Sequence, residues 1–194
     1  MIFYFLPVAA YLIGSVSSAI VVTKLMGLQD PRQVGSQNPG ATNVLRYGGK
    51  AAAAITLVGD VFKGVIPVVL ARVLGAGQAI IALVMLAAFL GHLYPVFHGF
   101  RGGKGVATAL GVISAVNIWV GLLLMATWVV MSLLFRYSSL SAITAAILAP
   151  VYVWWRMPVR PVLIATSIIV VLLLWRHRSN IRKLVAGTER RIHF

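Results

Sequence analysis

The chain has 194 residues, of which 60% are apolar and 10% charged, and its 17 lysines and arginines against 3 acids give a net charge of +14. With a mean hydropathy of +0.96, this composition excludes a soluble globular domain and is typical of a polytopic membrane protein. The absence of cysteine excludes thiol nucleophiles, acyl-thioester intermediates on the enzyme and disulfides. A basic excess is expected of short membrane loops, so we predict no nucleic-acid partner.

Apolar stretches long enough to cross a bilayer recur along the whole chain. A hydrocarbon core about 30 Å thick needs roughly 20 apolar residues per helix. The clear candidates are 2–22, 51–71, 78–97, 139–155 and 159–175. The first has no basic region before it and no small-residue cleavage site, so we expect a retained helix and not a cleaved signal peptide. We predict an all-α, single integral-membrane domain over residues 1–194.

The uncharged stretch 105–135 is long for one helix and short for two. Basic residues collect in short cytoplasmic loops, so charge asymmetry discriminates between the two possibilities. Two crossings place thirteen basic residues on one side and three on the other, whereas one crossing places eight on each side. The thirteen are Lys24, Arg32, Arg46, Lys50, Arg101, Lys104, Arg136, Arg176, Arg178, Arg182, Lys183, Arg190 and Arg191. We therefore predict seven transmembrane helices, with the amino terminus outside, the carboxyl terminus in the cytoplasm and a tight turn at Asn117.

Three segments rich in glycine, basic residues and asparagine interrupt the apolar sequence, at 35–50, 98–105 and 176–191. In a seven-helix arrangement all three emerge on the cytoplasmic face of the membrane. We therefore predict that they form one active site on that face.

In the first segment, glycines and a proline favour a turn whose backbone N–H groups can bind an oxyanion. Thr42 and Asn43 are placed to cap the following helix, and Arg46 lies one turn further on, where it can contact a phosphate. The alternative is a helix-capping loop with a lipid-facing arginine.

In the second segment, four glycines surround Arg101 and Lys104. The pattern resembles a phosphate cradle, but it is not a Walker A loop, because Gly105 follows Lys104 where Ser or Thr should bind magnesium. The alternative is that the glycines allow close packing between helices.

The third segment follows the last apolar stretch directly. His177 and Asn180 have a spacing that places them on one helical face, where both can hydrogen-bond a polyol or a phosphate. The alternative is a solvated basic tail. Glu189 is either a catalytic base or, as is more common for a lone acid in a basic tail, the partner of an arginine.

Two further pairs of polar residues lie in or beside apolar stretches. Asp60 and Lys63 have i, i+3 spacing and are predicted to form a structural ion pair, because single charges are costly within a membrane. Ser139 and Ser141, just past Arg136, either hydrogen-bond a substrate or cap a helix.

Material for a metal site is scarce, since the chain has four histidines, three acids and no cysteine. Neither an HExxH pattern nor another ligand spacing is present. We predict no metal and no cofactor.

The three segments together resemble those of the PlsY family of membrane glycerol-3-phosphate acyltransferases, which use acyl phosphate as donor. The matching patterns are GSxNPGATNxxR, GHxxPxFxxFxGGKGVAT and RHxxNI…GTE. One departure is Lys183, where the pattern has arginine, and it puts in doubt only a role for that position.

The resemblance implies transfer of a fatty acyl group from acyl phosphate to the 1-hydroxyl of glycerol 3-phosphate, giving lysophosphatidic acid and inorganic phosphate. It implies both substrates and membrane lipids as partners, in a bacterial cytoplasmic (inner) membrane. The implied catalytic residues are His177, Lys104 and Asn180. The implied acyl-phosphate pocket consists of Ser36, Asn38, Gly40, Thr42 and Asn43. The other implied substrate-binding residues are Arg46, Arg101, Gly102, Gly103 and Ser141.

The HxxxxD pattern of other glycerolipid acyltransferases is absent from the sequence. We therefore expect a single direct transfer, in which cations stabilise the leaving phosphate and the hydroxyl proton goes to His177 or to a substrate phosphate. The alternatives from other classes are a carrier for an anionic phosphate compound and a structural membrane subunit.

Overall fold

The computed structural model describes residues 2–192, which form nine α-helices and two short 3-10 helices. The α-helices are α1 (Leu6–Gly14), α2 (Ser18–Leu25), α3 (Ala41–Val73), α4 (Gln78–Leu93), α5 (Val106–Val116), α6 (Ile118–Phe135), α7 (Ser138–Arg156), α8 (Arg160–Arg176) and α9 (Arg178–Val185). The 3-10 helices are Ile2–Tyr4 and Val96–His98. The prediction of an all-α protein is confirmed.

Four segments are individually long and apolar enough to cross a membrane: α3, α4 with its 3-10 extension, α6 and α7. Two bent pairs also pass the same test, α1 with α2 at 43° and α8 with α9 at 58°, which makes up to six candidate spans. Helix α5 has 11 residues and is shorter than a full crossing. The number of seven and the orientation of the termini therefore stay predictions.

The break inside 105–135 lies where the sequence indicates it. Helix α5 ends at Val116 and α6 begins at Ile118. Between them, the Asn117 side chain accepts hydrogen bonds from the backbone N–H groups of Trp119 and Val120, at 3.0 and 3.3 Å. The prediction of two helices with a turn at Asn117 is confirmed.

Two of the predicted crossings belong to helices that are not straight. The stretch 2–22 is interrupted between α1 and α2. Helix α3 begins at Ala41, ten residues before the apolar stretch, and passes through a kink at Gly49, whose φ of 81° is left-handed. Glycine adopts this conformation without strain, so the first polar segment continues into the helix.

Close helix pairs set the frame of the bundle. Gly14 of α1 lies against the Ala88 carbonyl of α4, and Gly111 of α5 lies against the Val61 carbonyl of α3, so tightly that a Cβ would overlap these oxygens. The largest fully buried side chain is Phe89 of α4. Because small residues let membrane helices approach closely, these contacts hold α1 against α4 and α5 against α3.

Candidate active site

The loop that precedes α3 is held by the side chain of Asn43, which is 1% exposed. Asn43 Oδ1 accepts from the Ser36 N–H at 2.8 Å, and Nδ2 donates to the carbonyls of Pro31 and Val34 at 2.9 and 3.0 Å. The residue that caps α3 is Gly40, without a side-chain hydrogen bond. The prediction that Thr42 and Asn43 cap this helix was therefore wrong. Asn43 shapes the loop instead.

The glycine-rich turn Gly102–Lys104 packs against the end of α4. The Gly103 N–H donates to the His92 carbonyl at 3.2 Å, and a Cβ on Gly102 or Gly103 would overlap His92. Arg176 secures the opposite side, because its Nη2 and Nε donate to the carbonyls of Gly102 and Gly103 at 2.7 and 3.1 Å. The glycines thus provide the close packing that was the alternative interpretation of this segment.

A hydrogen-bonded chain joins the second and third segments to α7. Lys104 Nζ donates to Asn180 Oδ1 at 2.6 Å, and Asn180 Nδ2 donates to Glu189 Oε1 at 2.7 Å. Ser139 Oγ donates to the same oxygen of Glu189 at 2.6 Å. Within residues 2–192 the Glu189 carboxylate forms no ion pair with an arginine, so the expected arginine partner was wrong. The Glu189 carboxylate instead orients the Asn180 amide and, through that amide, the Lys104 ammonium.

Lys104 and His177 are electrostatically unusual because both are withdrawn from water. Burial lowers the pKa of Lys104 to about 8, assisted by Arg46, while Glu189 opposes the change. Burial also lowers the pKa of His177 to about 4. His177 Nδ1 lies 2.8 Å from the Leu173 carbonyl, which can only accept, so Nδ1 carries the proton. In the neutral ring Nε2 is therefore the acceptor nitrogen.

The two serines of the sequence analysis have different environments. Ser141 is fully buried, and its hydroxyl donates to the Tyr137 carbonyl at 2.9 Å, away from the cavity. Ser139 bonds Glu189, and Ser138 lies 3.1 Å from the Thr42 hydroxyl. Two residues along a helix turn a side chain by about 200°. Ser139 therefore lines the cavity, whereas the predicted Ser141 does not.

These side chains surround one cavity of about 480 Å³. Its polar lining comprises Ser36, Asn38, Thr42, Asn43, Arg46, Asp60, His92, Lys104, Ser138, Ser139, His177, Asn180, Lys183, Thr188, Glu189 and Arg190. Its apolar lining includes Leu110, Ile113, Leu124, Met125, Trp128, Val129, Ala145, Ala146, Ala149, Ile169, Val170 and Leu173. A polar end and an apolar interior are therefore continuous.

The structure brings most of the predicted site residues to this cavity, including Gly40. It does not bring Arg101, which is exposed, or Gly102 and Gly103, which are buried on α4. Sequence reasoning did not assign His92 or Thr188 to the lining. The available signal for His92 in the sequence was a histidine that follows Gly91 inside the apolar stretch 78–97.

The residues after α9 fold back onto the junction between α6 and α7. The Ile192 N–H donates to the Arg136 carbonyl at 2.7 Å, and the Arg191 guanidinium lies 5.5 Å from the ring centre of Tyr137. This return brings Glu189 into contact with Ser139. The tail is therefore part of the cavity wall.

Known proteins match this chain over nearly its whole length. The family described as "Glycerol-3-phosphate acyltransferase" matches residues 4–187. Proteins of that name from Thioalkalivibrio sulfidiphilus and Bordetella petrii are 57% identical over 187 residues and 59% identical over 192 residues. These alignments cover 96% and 94% of this chain, and 92% and 90% of the respective relatives.

Two crystal structures of PlsY, an integral membrane glycerol 3-phosphate acyltransferase, are similar over 100% of this chain and 96% of theirs. The glycerol 3-phosphate form has a TM-score of 0.95 at 42% identity, and the lysophosphatidic acid form has 0.93 at 41%. The resemblance inferred from the three motifs is confirmed, and the chain belongs to the PlsY family of glycerol-3-phosphate acyltransferases.

Proposed function

We propose that this protein transfers a fatty acyl group from acyl phosphate to the 1-hydroxyl of glycerol 3-phosphate. The hydroxyl oxygen forms a bond to the acyl carbonyl carbon, and the bond from that carbon to the phosphate oxygen breaks. The hydroxyl proton leaves with the phosphate. The products are lysophosphatidic acid and inorganic phosphate.

The observation that carries this proposal is the continuity of the cavity between a cationic end and an apolar interior. Lys104 and Arg46 line one part, and Met125 and Trp128 line another. A donor with a phosphate head and a hydrocarbon tail matches such a cavity, because the charges need partners and the tail needs apolar contact. The second substrate adds another phosphate, which accounts for more than one cation at the polar end.

The acyl-phosphate head is assigned to the loop before α3. Ser36, Asn38, Gly40 and Thr42 line the cavity there, next to the amino-terminal end of the helix, which favours an anion. Asn43 acts indirectly, because both hydrogens of its amide are donated to loop carbonyls. It keeps the loop in the shape that receives the phosphate.

Glycerol 3-phosphate is assigned to Arg46, Lys104, His177 and Asn180, with Ser139 orienting Glu189 in place of a role for Ser141. Lys104 also stabilises the charge that develops on the leaving phosphate. His177 Nε2 accepts a hydrogen bond from the 2-hydroxyl of glycerol 3-phosphate, which aims the 1-hydroxyl oxygen at the acyl carbon and leaves the 1-hydroxyl proton to a substrate phosphate. With a pKa of about 4 this imidazole is a weak base, so we assign the proton to a substrate phosphate.

We also propose the membrane arrangement that the charge distribution favours. Seven helices cross a bacterial cytoplasmic (inner) membrane within one domain, 1–194, with the amino terminus outside. The active-site segments 35–50, 98–105 and 176–191 then face the cytoplasm, where both phosphate compounds are available. The support is that residues from all three segments line a single cavity.

The test is an assay with purified protein in lipid, supplied with palmitoyl phosphate and glycerol 3-phosphate without ATP or added metal. We expect equal amounts of inorganic phosphate and lysophosphatidic acid, and loss of both in Lys104→Ala. Palmitoyl-CoA in place of the phosphate should give no product. If lysophosphatidic acid formed with palmitoyl-CoA but not with palmitoyl phosphate, acyl phosphate would be refuted as the donor. Uptake of glycerol 3-phosphate into vesicles without turnover would favour a carrier.

A further inference from the structure

A buried polar network lies beneath the turn Gly102–Lys104. Asp60 of α3 and His92 of α4 contribute to the cavity wall, although only 3% and 6% of each residue is exposed. Lys63 Nζ lies 2.8 Å from Asp60 Oδ1, which confirms the predicted ion pair, and donates to the Val16 carbonyl at 2.9 Å. The network therefore joins α3 and α4 to the break between α1 and α2.

The hydrogen bonds of Thr108 on α5 determine which nitrogen of His92 carries the proton. Thr108 Oγ1 lies 2.9 Å from the Asp60 backbone carbonyl and 3.1 Å from His92 Nδ1. A carbonyl can only accept and a hydroxyl has one proton. Thr108 therefore donates to Asp60 and accepts from the Nδ1–H of His92. The Asp60 carboxylate, 3.7 Å from Nδ1, favours the same proton position.

The oriented ring lies against the turn through its Nε2, and the backbone carbonyl of the same residue holds the turn independently of the ring. His92 accepts the Gly103 N–H through its backbone carbonyl, and its Nε2 lies in the space that a Cβ of Gly103 would need. Arg176 holds the carbonyls of Gly102 and Gly103 from the other side. Lys104 directly follows Gly102 and Gly103 in the chain. The direction of its side chain therefore depends on the backbone position of Gly103.

We propose that His92 is a positioning residue for Lys104. Thr108 and Asp60 orient the imidazole, the imidazole fixes Gly103, and Gly103 sets the path of the Lys104 ammonium into the cavity. This inference rests on the proposed function in one respect, namely that Lys104 binds a substrate phosphate. If the network served only the stability of the bundle, changes in it would affect unfolding without a specific dependence on Lys104.

Thr108 is the most informative residue to change. It is fully buried and lies outside the lining of the cavity, so any effect on substrate must be transmitted through its neighbours. Thr108→Val keeps the shape of the side chain and removes the hydroxyl that orients His92. Thr108→Ser keeps the hydroxyl and is the matched control.

The experiment is a double-mutant cycle on binding of glycerol 3-phosphate, measured by calorimetry with the full chain in lipid nanodiscs. The four proteins are wild type, Thr108→Val, Lys104→Ala and the double variant, with a wider concentration range for the two that lack Lys104. We expect Thr108→Val to weaken binding about tenfold when Lys104 is present and less than twofold when it is absent, because coupled residues are not additive. Thr108→Ser should bind within about twofold of wild type.

Equal weakening by Thr108→Val in both backgrounds would overturn the inference, since the effect would then not pass through Lys104. The proposed function fails separately if Lys104→Ala binds glycerol 3-phosphate as tightly as the wild type does. Absence of glycerol 3-phosphate binding by the wild type would overturn both the proposed function and this inference. Should Thr108→Val not fold, the same cycle is run with His92→Asn. Its amide retains a donor toward Thr108 and removes the ring from beneath Gly103, so the same dependence on Lys104 is expected.

Discussion

The ammonium of Lys104 and the amide oxygen of Asn180 lie 2.6 Å apart, although 76 positions separate them in the sequence. The same amide donates its hydrogen to Glu189, so its orientation is not free to reverse. An amide held in this way directs one cation into the cavity without neutralising it. A carboxylate in its place would compete with the substrate phosphate.

Asn180→Ala removes the acceptor that directs Lys104. A hydrogen bond to a charged group contributes about 1.5–3 kcal/mol, so we expect kcat/KM for glycerol 3-phosphate to fall about 10- to 100-fold. The measurement is steady-state release of inorganic phosphate. Ser179→Ala, at the exposed neighbouring position, is the control and should remain near wild type; a similar loss in both variants would contradict a specific role for Asn180.

The pKa of Lys104, about 8 because of burial, predicts an alkaline limit. The ammonium loses its proton as the pH rises through this value, so kcat/KM should be independent of Lys104 ionisation below pH 8 and should decline above it. The profile of kcat/KM is the appropriate measurement because it reports the free enzyme. In Lys104→Arg the guanidinium stays charged, and the decline should disappear from whatever activity remains.

Glu189→Gln provides a second variant for this alkaline limit. The carboxylate of Glu189 raises the pKa of Lys104, so its neutralisation should move the decline to lower pH. The glutamine oxygen can still accept from Asn180 and Ser139, which keeps the geometry. A decline that stays in place or moves to higher pH would show that another group titrates.

His177→Ala should lower turnover through loss of orientation, without removing an acid limb near pH 6 to 7. The pKa of His177 is about 4, so the imidazole is already neutral in this range. A phosphate monoester has its second pKa near 6, so a limb there belongs to the substrate. If the alanine variant alone lost this limb, His177 would be the base.

Single cysteines can test the membrane arrangement because the chain has none of its own. In intact cells an impermeant maleimide should label Leu74→Cys, between α3 and α4, and Pro158→Cys, between α7 and α8. Gln33→Cys and Ser179→Cys should react only after the membrane is opened. All four positions are exposed. Labelling of Pro158→Cys together with Ser179→Cys would refute an odd number of crossings between them.

The main parts of the site were accessible from sequence because charge and helical spacing act over short distances. The excess of arginine and lysine predicted that three segments share one face, and the i, i+3 spacing paired His177 with Asn180. The structure places both residues in the cavity wall. It also places Lys183 there, the position where the motif departs from its family.

The errors arose where the direction of a side chain depends on distant partners. Nothing local distinguishes Ser139 from Ser141 until the tail brings Glu189 to α7. Gly103 resembles a phosphate ligand in sequence, but its N–H is used by His92. Asparagine is a common helix-capping residue, but the amide of Asn43 forms three hydrogen bonds to the preceding loop instead. Each outcome is a competition among hydrogen-bond partners that only the folded chain brings together.

The backbone contact between α1 and α4 affects how sequence identity among relatives should be interpreted. At Gly14 even one methyl group would overlap the Ala88 carbonyl, and at Gly91 it would overlap the Tyr11 carbonyl. Selection at these two positions therefore acts on the distance between the axes of α1 and α4. A larger residue at one position cannot be compensated by a substitution at the other. Conservation of glycine at these positions would therefore reflect the packing of the two helices and would not be evidence for a role in the reaction.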